Sequence, residues 1–164
     1  MTIYYIDTSA IVKRYHAETG TEVVDKLLDE PSSDDRCYTS FLSVLELTSS
    51  VVRLAKGRQL REKMAHEVIA RFRQDLHDIF RIWPLDDQVV SAAIPVIERY
   101  GLRSADALHL ATALSIFAFA GDMNQVMVSS DTELLQAATL SKITALDPQD
   151  ENALDTLLQL RTHK

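Results

Sequence analysis

The sequence predicts an α/β fold: a single domain with a mainly parallel sheet of about four to five strands, flanked by helices and carrying a helical hairpin. Three observations point there. Ile3 to Ile6 is a short apolar run rich in β-branched and aromatic residues, and it passes at once into Asp7-Thr8-Ser9 and a helical segment. Further short strand-like runs recur between helical segments, and that alternation favours a parallel sheet covered on both faces. The chain has 164 residues with 46% hydrophobic and 25% charged. That suits one globular core and excludes disordered or low-complexity classes.

Each element has a local cause. After Ile3–Ile6, Thr21 is placed to cap a helix over Glu22–Glu30, where Val23, Val24, Leu27 and Leu28 share one face and Pro31 stops the run. Arg36–Thr39 reads as a short strand. From Ser40 to Ile79 there is no Pro and only Gly57, with apolar residues at three- and four-residue spacing, so two long helices broken near Gly57 are expected. Arg81–Leu85 reads as a strand that Pro84 confines to an edge or an end. Asp87–Tyr100 reads as a helix disturbed by Pro95 and stopped by Gly101. Ser104 opens a helix to about Ala120. Gln125–Ser129, Asp131–Thr139, Lys142–Ala145 and Glu151–Arg161 follow as strand, helix, strand and helix. No repeat or linker divides the chain, so residues 1–148 are expected to form the domain and 149–164 a terminal helix packed on it.

Composition narrows the function. One cysteine, Cys37, excludes an intramolecular disulfide, a thiolate zinc cage and a redox pair, and suggests a reducing cytoplasmic setting and a small buried apolar role for the residue. The N-terminus lacks the pattern of a signal peptide, and the longest apolar stretch, Leu110 to Gly121, is shorter than the ~20 residues that span a bilayer, so no membrane partner is expected. A formal charge of −7 argues against bulk electrostatic coating of nucleic acid. The charge is uneven. Arg53 to Arg81 holds eight basic and four acidic residues, and the remainder nine basic and twenty acidic. A solvated helix surface is the ordinary reading of such a run, and phosphate contact is the functional one. Gly20, Gly57, Gly101 and Gly121 are isolated, so no phosphate-cradling loop is present.

Four acids stand out. Asp7 and Asp131 each follow a strand, and in a parallel sheet both emerge at the carboxyl edge, where open α/β sheets bind ligands. Glu46 interrupts the apolar run Phe41-Leu42-Ser43-Val44-Leu45-Glu46-Leu47, and Asp106 sits in the first turn of the helix opened by Ser104. Singly, each has a structural reading: helix N-terminal acids for Asp7, Asp106 and Asp131, and an ion pair with Arg53 or another Arg for Glu46. Together they suggest an acidic pocket whose members raise one another's pKa unless a hard cation binds. His109 lies one turn after Asp106, where a packed histidine beside the site is the simpler expectation. His16, His66, His77 and His163 show no metal-ligand spacing.

The stretches YYIDTSAIVKRY, SVLELTSSVVRLAKG, LRSADALHLATAL and VMVSSDTELLQAA resemble the PIN-domain ribonuclease family, most closely the VapC-like toxins of type II toxin-antitoxin systems, over roughly Met1 to Pro148. The resemblance implies an acidic quartet on Asp7, Glu46, Asp106 and Asp131, with the family's small polar residue at Thr8 or Ser9. A Gly common before the last strand is replaced here by Leu140-Ser141-Lys142. The resemblance also implies an RNA substrate, a cognate VapB-like antitoxin laid against the toxin, and a homodimer, with part of the hairpin Val44–Ile79 available to either protein partner.

Oxygen donors without sulfur or clustered imidazoles favour Mg²⁺, with Mn²⁺ as the other candidate, over Zn²⁺. Such a site is suited to phosphodiester hydrolysis. Asp7, Asp106 and Asp131 are expected to bind metal directly and Glu46 directly or through water, while Thr8, Ser9 and Ser129 hold the carboxylates from behind. Two other functions compete. One is a catalytically inactive PIN-like RNA-binding or scaffold module. The other is a haloacid-dehalogenase-like phosphatase, which wants Asp or Thr two positions after its first Asp, where this chain has Ser9.

Overall fold

The computed structural model describes residues 1–121 and 123–162. His163, one of the histidines considered above, lies outside the described residues. The first strand, β1 (Thr2–Ile6), leads into the short helix α1 (Thr8–Ile11), a 3₁₀ turn at Val12–Arg14, and then α2 (Thr21–Asp29). Strand β2 (Arg36–Ser40) feeds directly into α3 (Phe41–Lys56), which folds back as α4 (Glu62–Asp78) before β3 (Arg81–Trp83). The second half runs α5 (Asp87–Tyr100), α6 (Ser104–Phe117), β4 (Asn124–Val128), α7 (Thr132–Leu140), β5 (Thr144–Leu146) and α8 (Ala153–Thr162).

All strand pairings are parallel, in the order β3-β2-β1-β4-β5. The chain builds outward from β1 on one side, then returns to lay β4 against its other edge. That reversal opens a crevice at the carboxyl ends of β1 and β4, the place where such sheets bind ligands. Every residue of β1 is buried, because helices cover both faces. Tyr4 and Ile6 join a core with Val24, Leu27, Leu47, Phe72 and Leu157, while Ile3 and Tyr5 join another with Val89, Leu110, Ile116, Met127 and Leu134. The strict alternation of β1 divides one strand between two cores. Cys37 is buried in the first.

The boundaries shift where side chains or backbone amides are used differently from the local expectation. Thr21 begins α2 instead of capping it: its hydroxyl donates to the Lys13 carbonyl and accepts from the Glu18 amide, and Gly20 occupies the cap position at φ +94°. Glycine is required there, because a Cβ would lie 2.7 Å from the Pro148 carbonyl oxygen. The last strand starts at Thr144, not Lys142, since the Lys142 and Ile143 amides satisfy the final carbonyls of α7 at Thr139 and Ala138. Lys142 takes the left-handed conformation, φ +64°, in the turn that lacks a glycine. Helix α6 stops at Phe117 as the amides of Phe119 and Ala120 shorten to three-residue turns.

The terminal helix α8 packs Ala153 and Leu157 into the first core, and Arg161 reaches the Asp35 carboxylate at 2.9 Å. Within the α3–α4 hairpin, Leu47, Val51, Ala65 and Phe72 are buried, whereas Leu45, Val52 and Met64 remain exposed. Among the described residues, no helix is long and apolar enough to cross a membrane.

Candidate active site

The crevice at the ends of β1 and β4 is an open pocket of about 530 Å³ whose lining includes Asp7, Glu46, Asp106 and Asp131 together with Thr8, Ser9, His109 and Arg53. Four separated stretches of sequence therefore meet at one place. The strands bring Asp7 and Asp131 there, and α3 and α6 bring Glu46 and Asp106 over it.

Asp7 is held most firmly. Its amide donates to the Val128 carbonyl at 3.1 Å, continuing the β1–β4 pairing by one residue. Its Oδ1 accepts the Ala10 amide at 3.0 Å and so caps α1. The Ser9 hydroxyl lies within reach of both carboxylate oxygens, at 2.8 and 3.0 Å, and Ser129 Oγ donates to Oδ2 at 2.9 Å. Ser9 Oγ also accepts from the Ser130 amide, and Ser129 Oγ accepts from the Asp131 amide. These hydroxyls stitch the two strand ends together behind the carboxylate.

Asp131 caps α7, with Oδ1 accepting the Leu134 amide at 2.9 Å. Asp106 has no hydrogen-bond donor on its carboxylate among the described residues. Glu46 does not pair with Arg53. Its Oε2 instead accepts the Thr8 hydroxyl and lies 3.0 Å from His109 Nε2. The reason is tertiary: α6 crosses α3 and carries His109 to within reach, while Arg53 lies about two turns further along α3 at the exposed rim. His109 is 2% exposed, and its Nδ1 lies 2.8 Å from the hydroxyl of Tyr5 on β1. The histidine's packed character was legible from its position one turn after Asp106, but its bridge to Glu46 and Tyr5 depends on helix crossing and had no local signal.

The charges respond to this arrangement. Burial pushes the Asp7 carboxyl above the usual range, against the lowering effect of nearby His109 and its hydrogen-bond donors. Asp106 is also raised, first by burial and then by the negative charge of Asp131, with Asp7 and Glu46 adding to it. Glu46 is lowered, chiefly by its hydrogen bond with His109 and also by that of Thr8. One carboxylate is thus stabilised as an anion while two are strained as anions.

Among the described residues, no three His, Cys, Asp or Glu side chains are already drawn together as a metal cage. The donor chemistry nevertheless fits a hard cation. Mg²⁺ keeps several waters and is held by one or two carboxylates plus substrate phosphates, so an open acidic rim suffices. The mutual repulsion felt at Asp106 is the imbalance that a cation would relieve.

The PIN domain family profile matches residues 4–140 of the chain. Ribonuclease VapC45 of Mycobacterium tuberculosis is 30% identical over 134 residues, covering 82% of this chain and 88% of the relative. Among solved structures, FitAcB from Neisseria gonorrhoeae superposes with a TM-score of 0.66 at 23% identity, covering 88% of this chain and 97% of that one. VapBC-1 from nontypeable Haemophilus influenzae gives a TM-score of 0.60 at 16% identity, over 91% of this chain and 100% of that chain. These structural likenesses establish the shared fold.

Proposed function

The chain belongs to the PIN domain family, and from that membership we propose that it is a metal-dependent endoribonuclease, the toxin of a VapBC-type toxin-antitoxin pair. The single observation that carries the reading is the convergence of Asp7, Glu46, Asp106 and Asp131 on one pocket at the sheet's switch point. The curated relative is named a ribonuclease, and an antitoxin partner accords with the VapBC and FitAB complexes among the structural neighbours.

Asp7, Asp106 and Asp131 would hold the cation, Mg²⁺ in preference to Mn²⁺, with Glu46 completing the site directly or through water. When bound, such an ion supplies positive charge to the scissile phosphodiester and acidifies the attacking water. The protein's own contribution is orientation. Ser9, Ser129 and the Ala10 amide fix both oxygens of Asp7, and the Leu134 amide fixes Asp131, so the carboxylates reorganise little when substrate arrives. Asp106 carries no competing donor among the described residues and is the carboxylate most available to a cation. Arg53 is the Lys or Arg side chain lining the pocket and has no ion-pair partner among the described residues, which suits it to a substrate phosphate.

The exposed Leu45, which lines the pocket, and Val52, two turns further along the same face of α3, offer apolar surface at its rim, consistent with a bound antitoxin segment. Ser9, two positions after Asp7, is committed to holding that carboxylate, which sets the phosphatase reading aside.

The deciding experiment incubates total RNA with the purified chain, with and without Mg²⁺, beside Asp7→Asn, and maps the cut ends. Metal-dependent cuts by wild type that vanish in the variant are expected; equal cutting by both would overturn the assignment. Co-purification with the product of the adjacent reading frame tests the antitoxin.

A further inference from the structure

We propose that His109 and Tyr5 form a positioning pair that holds Glu46 in one orientation, so that a single carboxylate oxygen of Glu46 is presented to the pocket. The inference rests on the nuclease reading and deepens it by assigning work to two residues outside the acidic quartet.

Glu46 Oε2 is engaged twice, by the Thr8 hydroxyl and by His109 Nε2 at 3.0 Å. A carboxylate can only accept, so the hydrogen of this contact sits on Nε2. The opposite nitrogen, Nδ1, faces the Tyr5 hydroxyl at 2.8 Å, and Tyr5 can donate to it. Tyr5 is 0% exposed in the central strand and His109 is 2% exposed, so neither has water as an alternative partner. With the ring neutral, the chain of bonds runs from Tyr5 O–H to Nδ1, and from Nε2–H to Oε2. It fixes both the tautomer and the ring plane of His109, in the manner of a buried partner that orients a ligand. Oε2 is then saturated, and Oε1 is left to face a cation or its water.

The source of this orientation is the fold. Tyr5 belongs to the rigid centre of the sheet, paired opposite Tyr38 on one side and Met127 on the other. Glu46 lies on α3 at the open rim of the pocket, its side chain a third exposed, where Leu45 beside it is 64% exposed. Without the bridge, a glutamate at a solvent-facing rim would sample several rotamers.

The test measures Mn²⁺ binding by isothermal titration and RNA cleavage in parallel, for wild type, Tyr5→Phe, His109→Gln, His109→Leu, Glu46→Gln and the Glu46→Gln/His109→Leu double variant. Thermal melting identifies which variants fold. Glutamine can place an amide N–H near the Nε2 position, so His109→Gln is expected to retain more Mn²⁺ affinity and kcat than His109→Leu. The leucine variant should lose about 10-fold or more in Mn²⁺ affinity or kcat. Tyr5→Phe frees the tautomer and should lower kcat with KM little changed. The double variant should be no worse than Glu46→Gln alone, since His109 acts through Glu46.

Should His109→Leu fail to fold, Tyr5→Phe decides the matter. A folded Tyr5→Phe protein, or a folded His109→Leu protein, with wild-type Mn²⁺ affinity and kcat would overturn the proposal, as would additive losses in a folded double variant. If wild type binds Mn²⁺ but cuts no RNA, the nuclease reading fails by itself, and the Mn²⁺ affinities of the variants still decide the positioning role.

Discussion

Ser129 Oγ, just past the end of β4, donates to Asp7 Oδ2 at 2.9 Å, just past the end of β1. Because the same oxygen accepts the Asp131 amide at 3.0 Å, one hydroxyl connects the two strand-end acids. The register of the sheet, with Ile6 opposite Val128, is thereby converted into the orientation of a carboxylate. Replacing Ser129 with Ala removes the donor to Asp7 and leaves the Asp131 amide unpaired, at a cost of about 1–3 kcal/mol. Divalent-metal affinity or activity should fall about 10- to 100-fold. A Mn²⁺ titration with a parallel melt checks this; unchanged Mn²⁺ affinity and activity would exclude an orienting role.

Asp106 experiences burial and three like charges. A carboxyl whose folded pKa is raised binds more protons folded than unfolded, so its effect on stability becomes unfavourable as pH rises from about 3.9, the unfolded value, through the raised folded value. Without divalent metal, Asp106→Asn should therefore melt higher than wild type at neutral pH. The advantage should vanish at acid pH and shrink on adding Mg²⁺. Melting curves across pH, with and without Mg²⁺, read this directly.

Arg53 shares the pocket with the acids yet joins no ion pair among the described residues. Arg53→Ala should raise KM for RNA with kcat little affected, and should reduce the slope of log affinity against log salt by about 1, as expected for loss of one phosphate contact. Its exposure means that the melting temperature should hardly change. Binding isotherms at several salt concentrations provide the check.

Arg14 forms a second charged centre away from the pocket. Its side chain, 5% exposed, bonds Asp75 at 2.7 Å, Asp29 at 2.8 Å and Asp25 at 3.3 Å, joining the 3₁₀ turn to α2 and α4. The Tyr15 hydroxyl donates to Asp75 as well, at 2.6 Å. Arg14→Met strands Asp75 and should destabilise the fold by about 3 kcal/mol, read by urea denaturation. The guanidinium holds the Asp29 carboxyl below the usual range. That stabilisation is present above about pH 3.9, the unfolded value, and is lost as pH falls through the lowered folded value. The stability difference between wild type and Asp29→Asn should accordingly close in that acid window.

Most elements were legible because their causes are local. The break at Gly57, the end of α5 at Gly101 and the strand-turn-helix at Ile3 to Ser9 follow from residue type and spacing over a few positions. Where boundaries moved, a group was claimed from outside the local pattern. Thr21 was taken by Lys13 and Glu18, and the Ile143 amide by the last turn of α7. Glu46 was recognisable as misplaced among apolar residues, but its partner was not, since nothing in the spacing of α3 specifies what α6 brings across it.

The sequence alone determined the alternation of strands and helices and the four acids, two at strand ends, one at a helix start and Glu46 inside a helix, because each depends on short-range periodicity and capping. Only the tertiary structure decided that β4 returns to the free edge of β1, that Asp7 and Asp131 therefore share one crevice, and that His109, not Arg53, meets Glu46. Those outcomes depend on contacts between residues 63 to 122 positions apart, which are fixed when the sheet buries both faces of β1 and the helices settle over it.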